Sequence, residues 1–141
     1  MASINIYLNF PGSTEEAFQF YRSIFGGEFS FLQRYGEIPD GDKLPSEDQQ
    51  KIMHISLPVG NHSILMGSDS LKSVGQQVLV GNNFYVSLSV ESETLADNYF
   101  QKLSVEGKVE MPMQKMFWGD YFGMVVDRYG IQWMVSVESK A

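Results

Sequence analysis

The chain has 141 residues, enough for one domain with a sizeable core, and its net charge of −7 (17 acidic against 10 basic residues) disfavours nucleic-acid and anionic-membrane partners. It contains no cysteine, which excludes disulfides, thiolate metal ligands and cysteine nucleophiles. The N-terminal segment lacks the pattern of a signal peptide, so we expect a cytoplasmic protein that binds neither nucleic acid nor membranes.

The first half of the chain predicts a strand, a helix and three further strands. Alternating residues predict a strand at 4–10. Ser13 and Glu16 have the spacing of a capping box, so we expect a helix from here to Gly26-Gly27. Strands are predicted at 28–35, 51–59 and 62–66. The loop at 36–50 is expected to be solvated and without a role, including its acids Asp40, Asp42, Glu47 and Asp48.

The second half repeats this order about eighty residues later. It predicts a strand at 84–90, a helix at 93–104, a strand at 108–116 that is bent or placed at an edge by Pro112, and two strands joined at the turn 127–130. One βαβββ unit cannot bury both faces of its sheet. We therefore expect one α+β domain over 1–141, with modules at about 1–70 and 83–138 and a linker at 71–82, forming a curved mixed sheet of half-barrels with helices on the convex face.

Each predicted strand has an apolar set of side chains and a mixed set. The apolar sets, such as Trp133 with Val135, are expected to face the helices. The mixed sets are expected to face a concave groove between the modules. They include Tyr7, Tyr85, Ser87, Gln132 and Met134.

Segments from nearly the whole chain carry a family resemblance. They are Tyr7–Phe10, Glu15–Tyr21, Phe25–Gly27, Arg34–Gly36, Met53-His54, Leu65–Asp69, Phe117-Trp118 with Phe122-Gly123, and Asp127–Met134. With the paired βαβββ order, they resemble the vicinal oxygen chelate superfamily of glyoxalase I, bleomycin-resistance proteins and extradiol dioxygenases. Within it, they are similar to the PhnB-like branch, labelled 3-demethylubiquinone-9 3-methyltransferase-like. The resemblance implies a homodimer, because members commonly complete their groove by pairing units between chains.

The resemblance also implies a divalent-metal position supplied by four strands, usually through His and Glu. Two of its positions align by motif, and they are occupied here by Tyr85 and Met134. The other two fall within 5–7 and 64–66, where there is no His, Asp or Glu. Because a phenol and a thioether are poor ligands for such ions, we expect no metal at this position and no other cofactor.

The remaining candidates are the two histidines and an aromatic cluster. His54 lies on the mixed face of its strand, either as an acid–base or hydrogen-bonding group or as a structural histidine, and His62 is expected to be solvated. The cluster Phe117, Trp118, Tyr121 and Phe122 beside Asp120 suits a small apolar ligand, the core or a dimer seam. The expected ligand-binding residues are Tyr7, His54, Tyr85, Ser87, Trp118, Asp120, Gln132 and Met134.

Three functions remain open at this point. The leading one is a metal-independent protein that binds a small hydrophobic or aromatic ligand in its groove, as fold-level analogy with bleomycin-resistance proteins implies. The second is a lyase, isomerase or dioxygenase that uses a displaced metal site or His54 and Asp120. The third is an interaction protein whose groove is filled by its own side chains. The sequence assembles no nucleophile–base–acid set that identifies a reaction, so enzymatic activity is undecided.

Overall fold

The computed structural model describes residues 1–138 and contains two four-stranded mixed sheets with three helices. The chain divides into two compact units, Met1–Leu79 and Val80–Ala141, and each unit contains one sheet. The predicted α+β class and the paired βαβββ modules are confirmed. Within residues 1–138, no helix has the length and apolar character needed to cross a bilayer.

The first unit contains one long helix and four strands. In chain order its elements are β1 (Ile6–Phe10), α1 (Thr14–Phe25), β2 (Phe31–Arg34), the short α2 (Ser46–Gln49), β3 (Ile52–Val59) and β4 (Ser63–Asp69). The strand order across the sheet is β1-β4-β3-β2. The pair β1/β4 is parallel, and the other two pairs are antiparallel.

The second unit repeats this topology. Its elements are β5 (Val86–Ser89), α3 (Glu93–Leu103), β6 (Lys108–Lys115), β7 (Tyr121–Val126) and β8 (Gln132–Val137). The strand order is β5-β8-β7-β6, again with one parallel pair, β5/β8. As predicted, the strand that contains Pro112 lies at the edge, and its register shifts on both sides of Met111. The predicted turn at 127–130 joins β7 to β8, with Gly130 at a positive φ of 89°.

Each long helix covers one face of its own sheet, and the apolar core of each unit lies between that helix and that sheet. In the first unit, α1 packs against β3 and β4, and its inward residues Ala17, Phe18 and Tyr21 are fully buried. In the second, α3 packs against β7 and β8, where Trp133 and Val135 are buried as predicted. Because side chains alternate along a strand, the mixed sets lie on the opposite face of each sheet, away from its helix.

The predicted capping box at the start of α1 is wrong, because a residue distant in sequence accepts the hydrogen bonds of the backbone amides there. The side chain of Ser13 makes no capping hydrogen bond. Instead the buried carboxylate of Asp69, at the end of β4, accepts hydrogen bonds from the amides of Gly12 (3.1 Å), Thr14 (3.0 Å) and Ile52 (2.8 Å). One side chain therefore ties the start of α1 to β3 and β4. In α3, by contrast, Ser92 is a true N-cap.

The expectation that the acids of loop 36–50 are all solvated is wrong for Asp48. This residue is 3% exposed, and its carboxylate binds the ammonium of Lys51 at 2.9 Å and the hydroxyl of Ser73. The Ser73 hydrogen bond and the Lys51 ammonium hold the pKa of Asp48 below its usual value. The loop folds into two 3-10 turns and α2, which directs this one acid inward.

Three strands begin two or three residues later than the alternation predicts. The strand β1 begins at Ile6 and leaves Ile4 98% exposed, β2 begins at Phe31, and β5 begins at Val86. In β1 and β5 the first residue is also the first with a partner on the neighbouring parallel strand. Alternation thus extends beyond the residues that the sheet can pair.

Candidate functional site

The face of the first sheet that α1 leaves uncovered contains the first group of candidate residues. Along β3, His54 and Ser56 alternate with fully buried core residues and lie on the mixed face. On β4, Met66 is paired on one side with Tyr7 of β1 and on the other with Ser56. Because paired residues share a face, strand register brings these side chains to one surface.

His54 is hydrogen-bonded at both ring nitrogens. Its Nδ1 lies 3.2 Å from the phenol oxygen of Tyr7, and its Nε2 lies 3.0 Å from the hydroxyl oxygen of Ser56. Ser56 is 7% exposed and Tyr7 is 45% exposed, so the chain of hydrogen bonds runs from the interior of the sheet to its open surface. Two predicted site residues are thus in contact. Ser56 was not among them, although its position two residues after His54 indicates the same face.

Aromatic rings flank this imidazole on two sides. The ring of Phe31, on β2, stands edge-on to His54 with centroids 5.5 Å apart, and the ring of Tyr7 lies at the same distance on the other side. Phe31 is 48% exposed, which is unusual for so large an apolar side chain within a strand. The face therefore combines flat apolar surface with a fixed hydrogen-bonding edge, as small-molecule sites do. Phe31 lies in the strand predicted at 28–35, and the structure pairs this strand with β3, which contains His54.

On the second sheet, the mixed face contains a row of methionines and a buried amide. Met134 on β8 is paired with Ser87 on β5 and with Met124 on β7. Gln132, predicted to contact a ligand, is only 6% exposed, and its amide nitrogen donates to the carbonyl of Phe84 at 2.6 Å. That amide group is therefore already used to hold the segment before β5.

Tyr85 and Glu110 form a hydrogen-bonded pair on this second unit. The phenol of Tyr85, just before β5, donates to the Glu110 carboxylate of β6 at 2.8 Å. The strands β5 and β6 are the two edges of the sheet, so three strand spacings of about 4.8 Å separate them. The two side chains must together span that width. The hydrogen bond to Glu110, then burial, then the carboxylate charge raise the pKa of Tyr85 above its usual value.

The two aligned metal positions do not fit a divalent ion. Oxygen coordination by Tyr85 is strongest from its phenolate, and the hydrogen bond to Glu110 stabilises the protonated phenol instead. The thioether of Met134 is a poor ligand for zinc, nickel or ferrous ions. Within residues 1–138, no three His, Cys, Asp or Glu side chains are grouped so that they could hold a metal ion.

The predicted aromatic cluster is divided between two sides of the β6–β7 hairpin. At its tip, Phe117 is 96% exposed and Trp118 50% exposed, and their rings meet edge-to-face at 4.9 Å. Trp118 also contacts Phe122 at 6.3 Å. Tyr121 faces α3 instead, where its hydroxyl donates to Asp97 at 2.6 Å. This hydrogen bond, with burial and nearby acidic charge, raises the pKa of Tyr121 to about 12.

Asp120, one of the expected ligand-binding residues, lies where this hairpin enters β7. Its backbone carbonyl accepts a hydrogen bond from the amide of Met116 at 2.8 Å, which closes the turn. The positive φ of Gly119, 105°, allows the chain to reverse there. The backbone of Asp120 therefore has a structural role at the base of the exposed aromatic pair.

A cleft of about 650 Å³ lies beyond the carboxyl ends of β1 and β4, on the first unit. Its walls come from Pro11, Lys51, Ser70, Lys72 and the run from Gly75 to Val78. The buried Asp48 binds Lys51, which lines this cleft, and also Ser73, the residue after the lining residue Lys72. No functional role was predicted for these residues from the sequence.

Comparisons with known proteins agree with this architecture. A family model described as 3-demethylubiquinone-9 3-methyltransferase matches residues 2–136. The protein YjdN of Escherichia coli K12 is 30% identical over 139 residues, which cover 93% of this chain and 92% of YjdN. The crystal structure of PA1353 from Pseudomonas aeruginosa has a TM-score of 0.85 at 34% identity and covers 99% of this chain and 100% of its own. A PhnB protein from Bacillus cereus has a TM-score of 0.78 at 27% identity, with 97% and 100% covered.

More distant structures share the fold alone. A member of the glyoxalase/bleomycin resistance protein/dioxygenase superfamily from Sphaerobacter thermophilus is 18% identical, with a TM-score of 0.58 over 98% of this chain and 99% of its own. The family model spans nearly the whole chain, and the modules have the topology described above. The chain therefore belongs to the family described as 3-demethylubiquinone-9 3-methyltransferase, and it shares its fold with a member of the glyoxalase/bleomycin resistance protein/dioxygenase superfamily.

Proposed function

We propose that this protein binds a small hydrophobic or aromatic molecule without the help of a metal ion. The observation that carries the proposal is the surface around His54, where two half-exposed aromatic side chains, Tyr7 and Phe31, flank a hydrogen-bonded imidazole. A flat ligand placed there would remove apolar ring surface from water, and the polar edge would fix its orientation. On the second unit, Tyr85, Ser87, Trp118, Asp120, Gln132 and Met134 stay predicted ligand contacts.

Metal independence is part of the proposal. It is supported by the donor set at the two aligned positions, where a hydrogen-bonded phenol and a thioether replace the usual imidazole and carboxylate. The test is elemental analysis of protein purified without chelator. We expect much less than one equivalent of zinc, nickel, manganese or iron per chain, and one equivalent bound through Tyr85 or Met134 would contradict the proposal.

Ligand binding is tested by thermal shift with a panel of small aromatic compounds, followed by amide NMR titration of each hit. A ligand that binds only the folded state stabilises it, by about 2.7 kcal/mol at a hundred times its dissociation constant. Phe31→Ala and His54→Gln should weaken binding. Val74→Ala, at a 57% exposed position in the segment beside the cleft, is the matched control. Absence of saturable binding across the panel, or equal binding by all variants, would contradict the proposal.

A second candidate function is that of a lyase, isomerase or dioxygenase that uses a displaced metal site or uses His54 and Asp120 as acid–base groups. The observation that favours it is that both nitrogens of His54 are hydrogen-bonded to hydroxyls, one of them half exposed, so a proton could move between ring and surface. Its predicted partner Asp120 lies in the other compact unit. Turnover of a bound compound that disappears in His54→Gln but survives in His62→Gln would promote this function over binding alone.

We further propose a cytoplasmic homodimer without nucleic-acid or membrane partners. The dimer is supported by the open sheets, each of which ends in two edge strands, and by the exposed Phe117 and Trp118. Sedimentation should give twice the chain mass of 16.0 kDa at micromolar concentration, and a clean monomer would contradict the dimer. The acidic, cysteine-free composition supports the location, which cell fractionation tests.

A further inference from the structure

The hydrogen bonds around His54 have a direction, and we infer from it the chemistry of the ligand: an aromatic compound whose polar group accepts a hydrogen bond, such as a carbonyl or carboxylate. The inference rests on the proposed binding function, because it concerns the same surface. It depends on where each hydrogen of Ser56, His54 and Tyr7 must lie.

The buried end of the network is Ser56. Its side chain is almost fully enclosed, and within residues 1–138 its hydroxyl has a single hydrogen-bond partner, Nε2 of His54. If Nε2 carried the proton, the hydrogen of the hydroxyl would be enclosed without an acceptor, which is unfavourable. Ser56 therefore donates to Nε2, and that nitrogen is unprotonated.

The imidazole ring of His54 continues this donor-to-acceptor direction from Ser56 to Tyr7 at the surface. A neutral imidazole carries one hydrogen, so in His54 it lies on Nδ1 and is donated to the phenol oxygen of Tyr7. Tyr7 makes no other side-chain hydrogen bond within the described residues, and it is half exposed. Its own hydrogen is left to point at the open face. Each bond in such a chain polarises the next, which makes the phenol a better donor.

The surroundings agree with an acceptor group on the ligand. The four strands place no Asp, Glu, Lys or Arg side chain on this face, where the polar side chains are Tyr7, Asn9, Gln33, His54, Ser56 and Ser68. No Asp or Glu of these strands lies there to repel a carboxylate, although the chain as a whole is acidic. A carbonyl or carboxylate oxygen would accept from Tyr7 while its ring contacts Phe31.

The first test reads the tautomer in the protein without any ligand. The chain has only two histidines, so a two-dimensional proton–nitrogen NMR spectrum at a pH where both rings are neutral shows two patterns, and exposed His62 is the internal reference. We expect His54 to be protonated at Nδ1, and Ser56→Ala to shift it toward Nε2. The control Ser89→Ala, at an exposed position on β5, should change nothing. Protonation of His54 at Nε2 in the unmodified protein would overturn the inference.

The second test compares benzoate, which only accepts hydrogen bonds, with benzylammonium, which only donates them. The net charge of −7 favours the cation in general, so preference for benzoate must come from the site. We expect benzoate to bind about tenfold more tightly, and Tyr7→Phe to remove most of that preference. Preference for benzylammonium, or unchanged preference in Tyr7→Phe, overturns the inference. If the first test shows His54 protonated at Nδ1 but no aromatic probe binds, the proposed binding function is overturned, and the ligand class falls with it.

Discussion

Removal of the Asp69 carboxylate should destabilise the fold far more than removal of the Ser13 hydroxyl that the sequence pattern suggests as the cap. In Asp69→Ala three backbone amides lose their acceptor: those of Gly12, Thr14 and Ile52. The Gly12 amide is exposed enough to turn to water, but the other two bonds are buried. At about 1–3 kcal/mol for each buried amide left without a partner, the free energy of unfolding should fall by about 4 kcal/mol.

The assay is urea unfolding followed by circular dichroism, with two serine variants for comparison. Ser13→Ala should change the free energy of unfolding by less than about 0.5 kcal/mol, because its side chain makes no cap bond. Ser92→Ala, which removes the true N-cap of α3, should lower it by about 1 kcal/mol. If Asp69→Ala does not fold, Asp69→Asn should still show a loss larger than that of Ser92→Ala. A loss in Ser13→Ala equal to that in the Asp69 variants would refute this reasoning.

Two further predictions concern packing and pH. A methyl group at Gly107 would lie 2.4 Å from the backbone carbonyl oxygen of Val126, so Gly107→Ala should lower the free energy of unfolding by about 1–3 kcal/mol. The control Gly81→Ala, where the nearest atom is a side-chain oxygen 3.9 Å away, should change it by less than about 0.5 kcal/mol in the same urea assay. The pKa of Tyr121 rises from 10.0 to about 12 in the folded protein, so its stabilising effect is present below pH 10 and is lost as the pH rises from 10 to about 12. Carbon-13 NMR of labelled tyrosine should show this titration near pH 12, and Asp97→Asn should return it toward 10; a Tyr121 that titrates near 10 in both forms would contradict the hydrogen bond as its cause.

The architecture could be predicted because the helices and strands follow from the local spacing of apolar residues. Alternation located the strands, the spacing of apolar residues located both long helices, and Gly130 marked the last hairpin. The repeat of this order then fixed the two-module topology, since each module needs a helix to cover one face of its sheet. The burial of Trp133 and Val135 follows from the same alternation.

The polar contacts could not be predicted in the same way, because their partners are distant in sequence. Asp69 satisfies a helix that begins 55 residues earlier, and Asp48 faces inward to meet Ser73, 25 residues later. Neither pairing leaves a local pattern. Alternation placed His54 and Tyr7 each on the mixed face of its own strand. Their contact depends on the parallel pairing of β1 with β4, which alternation alone does not specify.

The most direct test of the central claim is an NMR titration of chelator-treated, metal-free protein with benzoate. The account predicts saturable binding, with the largest amide shifts at Tyr7, Phe31 and His54, and an unchanged affinity when zinc, nickel or manganese is added. Binding that appears only after a metal ion is supplied, or saturable binding that leaves these three residues unaffected, would contradict it.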